Sequence, residues 1–128
     1  MPCPEQEGNT PMNVVKTFKN KTLTDLTGYE GYAVKFDTDG LALCTGVTDP
    51  VVGIVTRGGT TNSEVCLFGE CTALCGAAVT AGQAIIPHTD GKVKDTATTG
   101  VRFGVALESG VAGDWANVFV RGSEITAA

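Results

Sequence analysis

Displaced by 51 residues, this sequence overlays itself. Gly31 meets Gly82, Ala33 meets Ala84, Thr38-Asp39-Gly40 meets Thr89-Asp90-Gly91, and Gly53 meets Gly104. Val34 with Ile85 and Ile54 with Val105 are conservative pairs in the same frame. After Gly53 the frame slips by two residues, so that Val65, Leu67 and Gly69 meet Val118, Val120 and Gly122. A chain built this way folds as two similar halves, about residues 31–70 and 82–123. A slip of this size belongs in a surface loop, where insertions are tolerated.

The chemistry of each copy is that of strands and tight turns. Ala33-Val34-Lys35-Phe36 runs into Asp39-Gly40, and Leu41-Ala42-Leu43 leaves it. Ala84-Ile85-Ile86 runs into Asp90-Gly91, and Lys92-Val93-Lys94 leaves it. Asp-Gly between apolar runs signals a hairpin, because glycine accepts the positive φ of such turns and aspartate tolerates it. Further strands are expected near 51–56, 63–69, 101–107 and 115–121, joined by loops at 57–62 and 108–114. Seventeen glycines with abundant Val and Thr agree. The expected fold is all-β: a small single-domain β-barrel or sandwich made of two similar halves, spanning 29–128.

Residues 1–28 lie outside this frame and hold Pro2, Pro4 and Pro11, three of the five prolines. They read as an extended N-terminal arm with one strand-like patch, Met12 to Phe18. Such an arm can pair with a neighbour's sheet edge. Strand alternation sets Val65 and Leu67 on one face and Cys66 and Phe68 on the other, with Asn117 and Phe119 matching them in the second copy. Apolar residues on both faces point to burial on both sides, in a closed barrel or at a subunit interface.

The formal charge is −5, and the nine Lys and Arg do not cluster. A nucleic-acid surface needs a basic stripe to displace counterions, so no nucleic-acid partner is expected. No apolar run reaches membrane-spanning length, and the N-terminus lacks the apolar core of a signal peptide. A soluble protein made in the cytoplasm is expected, with five free thiols (Cys3, Cys44, Cys66, Cys71, Cys75).

A catalyst is hard to assemble. His88 is the one histidine, and Ser63, Ser109 and Ser123 sit in no nucleophile elbow. Asp37-x-Asp39-Gly40 starts like a calcium loop, but no bidentate Glu follows at the twelfth position. Cys66, Cys71, Cys75 and His88 have a zinc-like donor set at spacings C-x4-C-x3-C-x12-H, which lack a C-x2-C knuckle. The segment 56–62, TRGGTTN, lacks Walker spacing. The expectation is therefore no enzyme, no cofactor and no metal.

Several stretches in order, GYAVKFDTDGLALCTGVTDPVVGIVTRG, EVCLFGECTAL, AVTAGQAIIPHTDGKVKDT, GVRFGVALESG and WANVFVRG, make the chain resemble a known family. It resembles the capsid cement (decoration) proteins of tailed bacteriophages, a small β-rich, DUF2190-like family, over about residues 30–122. The five cysteines are not part of that pattern, and the arm matches it less well. The resemblance implies a homotrimer on the outer surface of the virion head. There it would clamp neighbouring major-capsid subunits against the pressure of packaged DNA. It implies Val14, Val15 and Phe18 as anchors of a capsid-contact arm. It fits Cys66, Phe68 and Phe119 as trimer-interface candidates, with Asp39, Gly40, Asp90 and Gly91 as turn residues. The alternatives are a head-fibre base or receptor-binding virion domain, or a small metal-binding domain. A fibre or receptor role would be expected to bring an extension, and the chain closes on RGSEITAA.

Overall fold

The computed structural model of the protein describes residues 13–95 and 100–122. About half of these lie in strands, and none of them in a helix. The strands are β1 (Val14–Lys19), β2 (Ala33–Asp37), β3 (Gly40–Leu43), β4 (Gly53–Arg57), β5 (Asn62–Leu74), β6 (Ala84–Pro87), β7 (Val93–Asp95), β8 (Gly104–Ala106) and β9 (Trp115–Val120). They form one curled sheet in the order β3-β2-β4-β5-β9-β8-β6-β7, with β1 also paired to β5. Every strand pair is antiparallel.

The order reads the same from either end once β2, β3, β4 and β5 are matched to β6, β7, β8 and β9. The registers carry the match to single residues. Ala33 opposes Ile54 and Val34 opposes Gly53, while Ala84 opposes Val105 and Ile85 opposes Gly104. Bonds outside the ladders repeat as well: the Gly31 N–H donates to the Val55 carbonyl at 2.8 Å, and the Gly82 N–H to the Ala106 carbonyl at 2.8 Å.

The structural repeat reaches further toward the N-terminus than the 51-residue frame. β1 pairs with the first part of β5, Val15 opposite Cys66, as the second part of β5 pairs with β9, Glu70 opposite Phe119. The thirteen-residue β5 thus ends one half and begins the other. Each half curls until the residue after its first strand bridges its third, Asn20 to Leu41 and Cys75 to Val93. The offset is lost here because the path from Lys21 to Tyr29 corresponds to the shorter path from Gly76 to Thr80. Both ends of the two paths make equivalent backbone bonds. Residues 1–12 lie outside the described residues.

Alternation along the strands builds one apolar interior per half. In the first, Leu26, Val34, Leu41, Val55 and Val65 pack together, with Phe18, Tyr29, Leu43, Val52 and Leu67 around them. Their counterparts in the second are Val79, Ile85, Val93, Ala106 and Val118. Burying each such Val, Leu or Ile contributes about 1.5–3 kcal/mol. The second interior also takes in Ala33, Cys44, Val51 and Ile54 from the outer face of the first half. β2 and β4 are therefore covered on both faces, and the two halves join as one body.

Candidate functional site

The residues with chemical potential do not converge. His88 lies in the β6–β7 turn, its Nδ1 3.4 Å from the Asp90 carboxylate and 3.2 Å from the Thr89 hydroxyl. Ser63 is buried, with its hydroxyl donating to Asn20 at 2.8 Å, and the Ser109 hydroxyl accepts from the Ala81 N–H. Ser123 lies outside the described residues. Among the described residues no three His, Cys, Asp or Glu are grouped to hold a metal ion. Cys75 packs in the second interior, against which Cys71 also packs, while Cys66 lies outside that cluster.

Cys66 and Cys71 line a groove of about 320 Å³ together with Val15, Val55, Trp115, Glu30 and Glu70. The Cys66 thiol donates to the Phe68 carbonyl at 3.6 Å; its interaction with the neighbouring Cys71 thiol lowers Cys66 below its ordinary value and raises Cys71. The Cys44 thiol is pushed up to about 12, first by burial and then by the nearby Asp49 carboxylate. A buried thiol at that value stays protonated and behaves as a small apolar group.

The arm candidates separate. Val14 and Val15 are 43% and 42% exposed, whereas the Phe18 ring is half-buried and meets Phe36 edge-on at 5.2 Å. Phe18 therefore anchors β1 to its own half, and Val14 and Val15 face outward. The Asn13 carboxamide fastens the start of β1, donating to the Glu70 carbonyl at 2.8 Å and accepting from its N–H at 3.0 Å.

The interface candidates also separate. Cys66 is fully buried, Phe68 is 43% exposed, and Phe119 is half-buried. The Phe68 and Phe119 rings meet edge-on at 5.2 Å across the junction of the halves.

The two turns differ more than their shared Thr-Asp-Gly suggests. In the first, Asp37 opposes Gly40 across Thr38-Asp39, so Gly40 is already in the strand. Its φ lies outside the positive range, and a Cβ there would sit 2.6 Å from the Asn20 and Lys19 backbone. Close approach, not turn conformation, requires this glycine. In the second, the His88 N–H donates to the Lys92 carbonyl at 2.6 Å, and Gly91 has φ +90°.

The first turn also has a task that the sequence did not announce. Asp37 pairs with Lys21 at 3.0 Å, and Asp39 accepts from both the N–H and the hydroxyl of Thr22. These donors hold both carboxylates below their ordinary value of 3.8: the Lys21 ammonium for Asp37, and the Thr22 hydroxyl and then its N–H for Asp39. Beside this clamp, the Thr24 N–H bonds the Lys21 carbonyl, and the Asn20 amide reaches the Thr24 carbonyl at 3.1 Å. Between them Leu23 is fully exposed at φ +66°, the one described non-glycine residue with positive φ. Such a conformation persists only where its surroundings over-determine it, and it favours sites of contact. No periodicity or motif marks Leu23; the longer connection in the first half is the only trace of it in the sequence.

No family model matches the chain, and no curated protein matches it. Among solved structures, the chain is similar to the N base of head fiber gp8.5 of bacteriophage phi29. The TM-score is 0.59 at 13% identity, covering 88% of this chain and 100% of that chain. At this identity the likeness is one of fold.

Proposed function

We propose that this chain is a structural protein of a phage virion. It binds the outer surface of the head as a homotrimer and cements neighbouring major-capsid subunits, stabilising the expanded shell against internal DNA pressure. The observation that carries the reading is the fold shared with a phage head-fiber base, over nearly the whole of this chain and all of that one. The sequence resemblance to cement proteins points to the same compartment. Val14, Val15 and Leu23 supply apolar contacts for the shell. Each is a small anchor, and three rigidly linked copies raise the effective concentration of the later contacts. The role requires no catalysis, cofactor, nucleic acid or membrane.

The same fold likeness favours a second reading, a base that seats a fibre on the head. Co-sedimentation with expanded heads separates the two. A cement protein binds throughout the lattice and raises the temperature at which heads rupture; a fibre base binds without raising it. Val14→Asp with Val15→Asp, or Leu23→Asn alone, should weaken binding while leaving the melting of the free protein near that of the parent. Wild-type protein that fails to pellet with heads would sink both readings.

A further inference from the structure

The two halves present equivalent outer faces, and only one of them is fully covered. Across the first half runs the row Ala33, Ile54, Cys66, and across the second the matching row Ala84, Val105, Phe119. All three members of the first row are 0% exposed. All three of the second are only partly buried, and the exposed Phe68 ring lies against Phe119.

What covers Ala33 and Ile54 is the second half itself. Ala33 and Ile54 insert into its interior beside Val93 and Phe103. Three backbone bonds seal the joint: Ala33 N–H to Gly91 carbonyl at 2.6 Å, Leu74 N–H to Gly31 carbonyl at 3.0 Å, and Val101 N–H to Val47 carbonyl at 2.7 Å. The glycine that leads into each row reports the same difference. Gly31 lies under Trp115, where a Cβ would come within 2.4 Å of the indole; around its counterpart Gly82 nothing lies within 4 Å. Both have the same left-handed backbone, φ +88° and +87°. The backbones match, so the difference is one of cover.

A joint in which the outer face of one half enters the next half is head-to-tail. Such a contact leaves one face unused at one end of the chain and one acceptor at the other. We infer that the Gly82, Ala84, Val105 and Phe119 face docks onto the first half of a second copy of this chain, repeating between chains the joint that unites the halves within one. The acceptor lies around Asn62, the counterpart of Trp115, at the exposed start of β5. In the proposed homotrimer this contact closes a ring of like joints. The inference deepens the self-association part of that reading and does not depend on any shell.

The test uses the purified full chain, with mass read by sedimentation equilibrium and no phage heads present. Wild type should form a closed oligomer. Val105→Lys with Gly82→Asn spoils the donor face; asparagine tolerates the left-handed backbone, and the space at Gly82 is open. Asn62→Arg spoils the acceptor. Each variant should sediment as a single 13.1 kDa chain with a wild-type circular dichroism spectrum. An equimolar mixture should then form a two-chain complex, since one donor face and one acceptor remain intact. A wild-type chain that is monomeric at every concentration overturns the inference. So do folded variants that assemble like wild type, or a mixture that stays monomeric. Binding of heads is read in the separate co-sedimentation experiment, so failure here leaves the virion reading standing.

Discussion

The first half of the molecule and the second are built on one plan and finished differently. In the first half, the outer face is buried, the connection after β1 is long, and the Asp37–Asp39 turn clamps it so that Leu23 projects. In the second half, the face is open, the connection is short, and Asp90 turns inward to Lys92 and His88 of its own hairpin. The shared parts are those that set register and close the curl. The unshared parts are loops and cover, where a duplicated domain can acquire contacts without disturbing its ladders.

The most severe test of that comparison lies where both halves have the same need. A Cβ at Gly53 would stand 2.1 Å from the Cys66 carbonyl, and one at Gly104 2.3 Å from the Phe119 carbonyl. Neither backbone neighbour can swing away, so Gly53→Ala and Gly104→Ala should each cost about 3 kcal/mol by overpacking. Urea unfolding of both should shift alike; tolerance of one alone would break the equivalence.

Next comes a position where the halves differ in chemistry. Asn20 is buried and ties together Ser63 and the carbonyls of Gly59 and Thr24, whereas its counterpart Cys75 is packed among apolar groups. Asn20→Ala strands these partners and should cost about 2 kcal/mol. Cys75→Ala leaves no hydrogen-bonding group unpaired and should cost about 1 kcal/mol. Equal losses in thermal melts would deny the first half its polar knot.

Cover sharpens the comparison further. Gly31→Ala and Gly82→Ala both place a side chain in the left-handed region, at about 1–2 kcal/mol. Gly31→Ala must also displace the Trp115 indole and should be the worse of the two, with a change in Trp115 fluorescence that Gly82→Ala does not produce.

The smallest effect is confined to the Leu23 loop. Asp37 and Asp39 have lowered pKa values in the folded protein, so their contribution is complete above the ordinary carboxylate value of 3.8. It is lost as pH falls through the depressed folded values. Acid should therefore lower the amide protection factors at Thr22 and Thr24, relative to intrinsic exchange at the same pH, before the equivalent connection at 76–80 responds, and Asp39→Ala should do the same at neutral pH. Protection lost equally in both connections would show that the clamp does not hold the loop.

The duplication and both Asp-Gly turns were readable at one constant offset, because ladder positions cannot shift by one residue without turning every side chain to the wrong face; the strand order and the Ala33–Ile54 and Ala84–Val105 registers came only from the structure. β1 reads as a strand outside the repeat, since the longer connection at Lys21–Tyr29 breaks the frame and a single identity, Thr17 with Thr72, survives across it. Gly40 was assigned to turn conformation, although the passing Asn20 backbone is what demands it. Leu23 left no signal, as its exposure depends on carboxylates fifteen or so residues away in sequence.

From the sequence alone came an all-β chain in two halves, with its Asp-Gly turns and the alternation of Val65 with Cys66 and of Val118 with Phe119. Periodicity and glycine placement are local properties, and they are written residue by residue. Which half is covered, where the apolar row lies open, and that one long strand serves both halves were decided only in the tertiary structure. The two rows, Ala-Ile-Cys and Ala-Val-Phe, are both apolar as sequence; only the docking of one half into the other buries the first fully and leaves the second partly exposed.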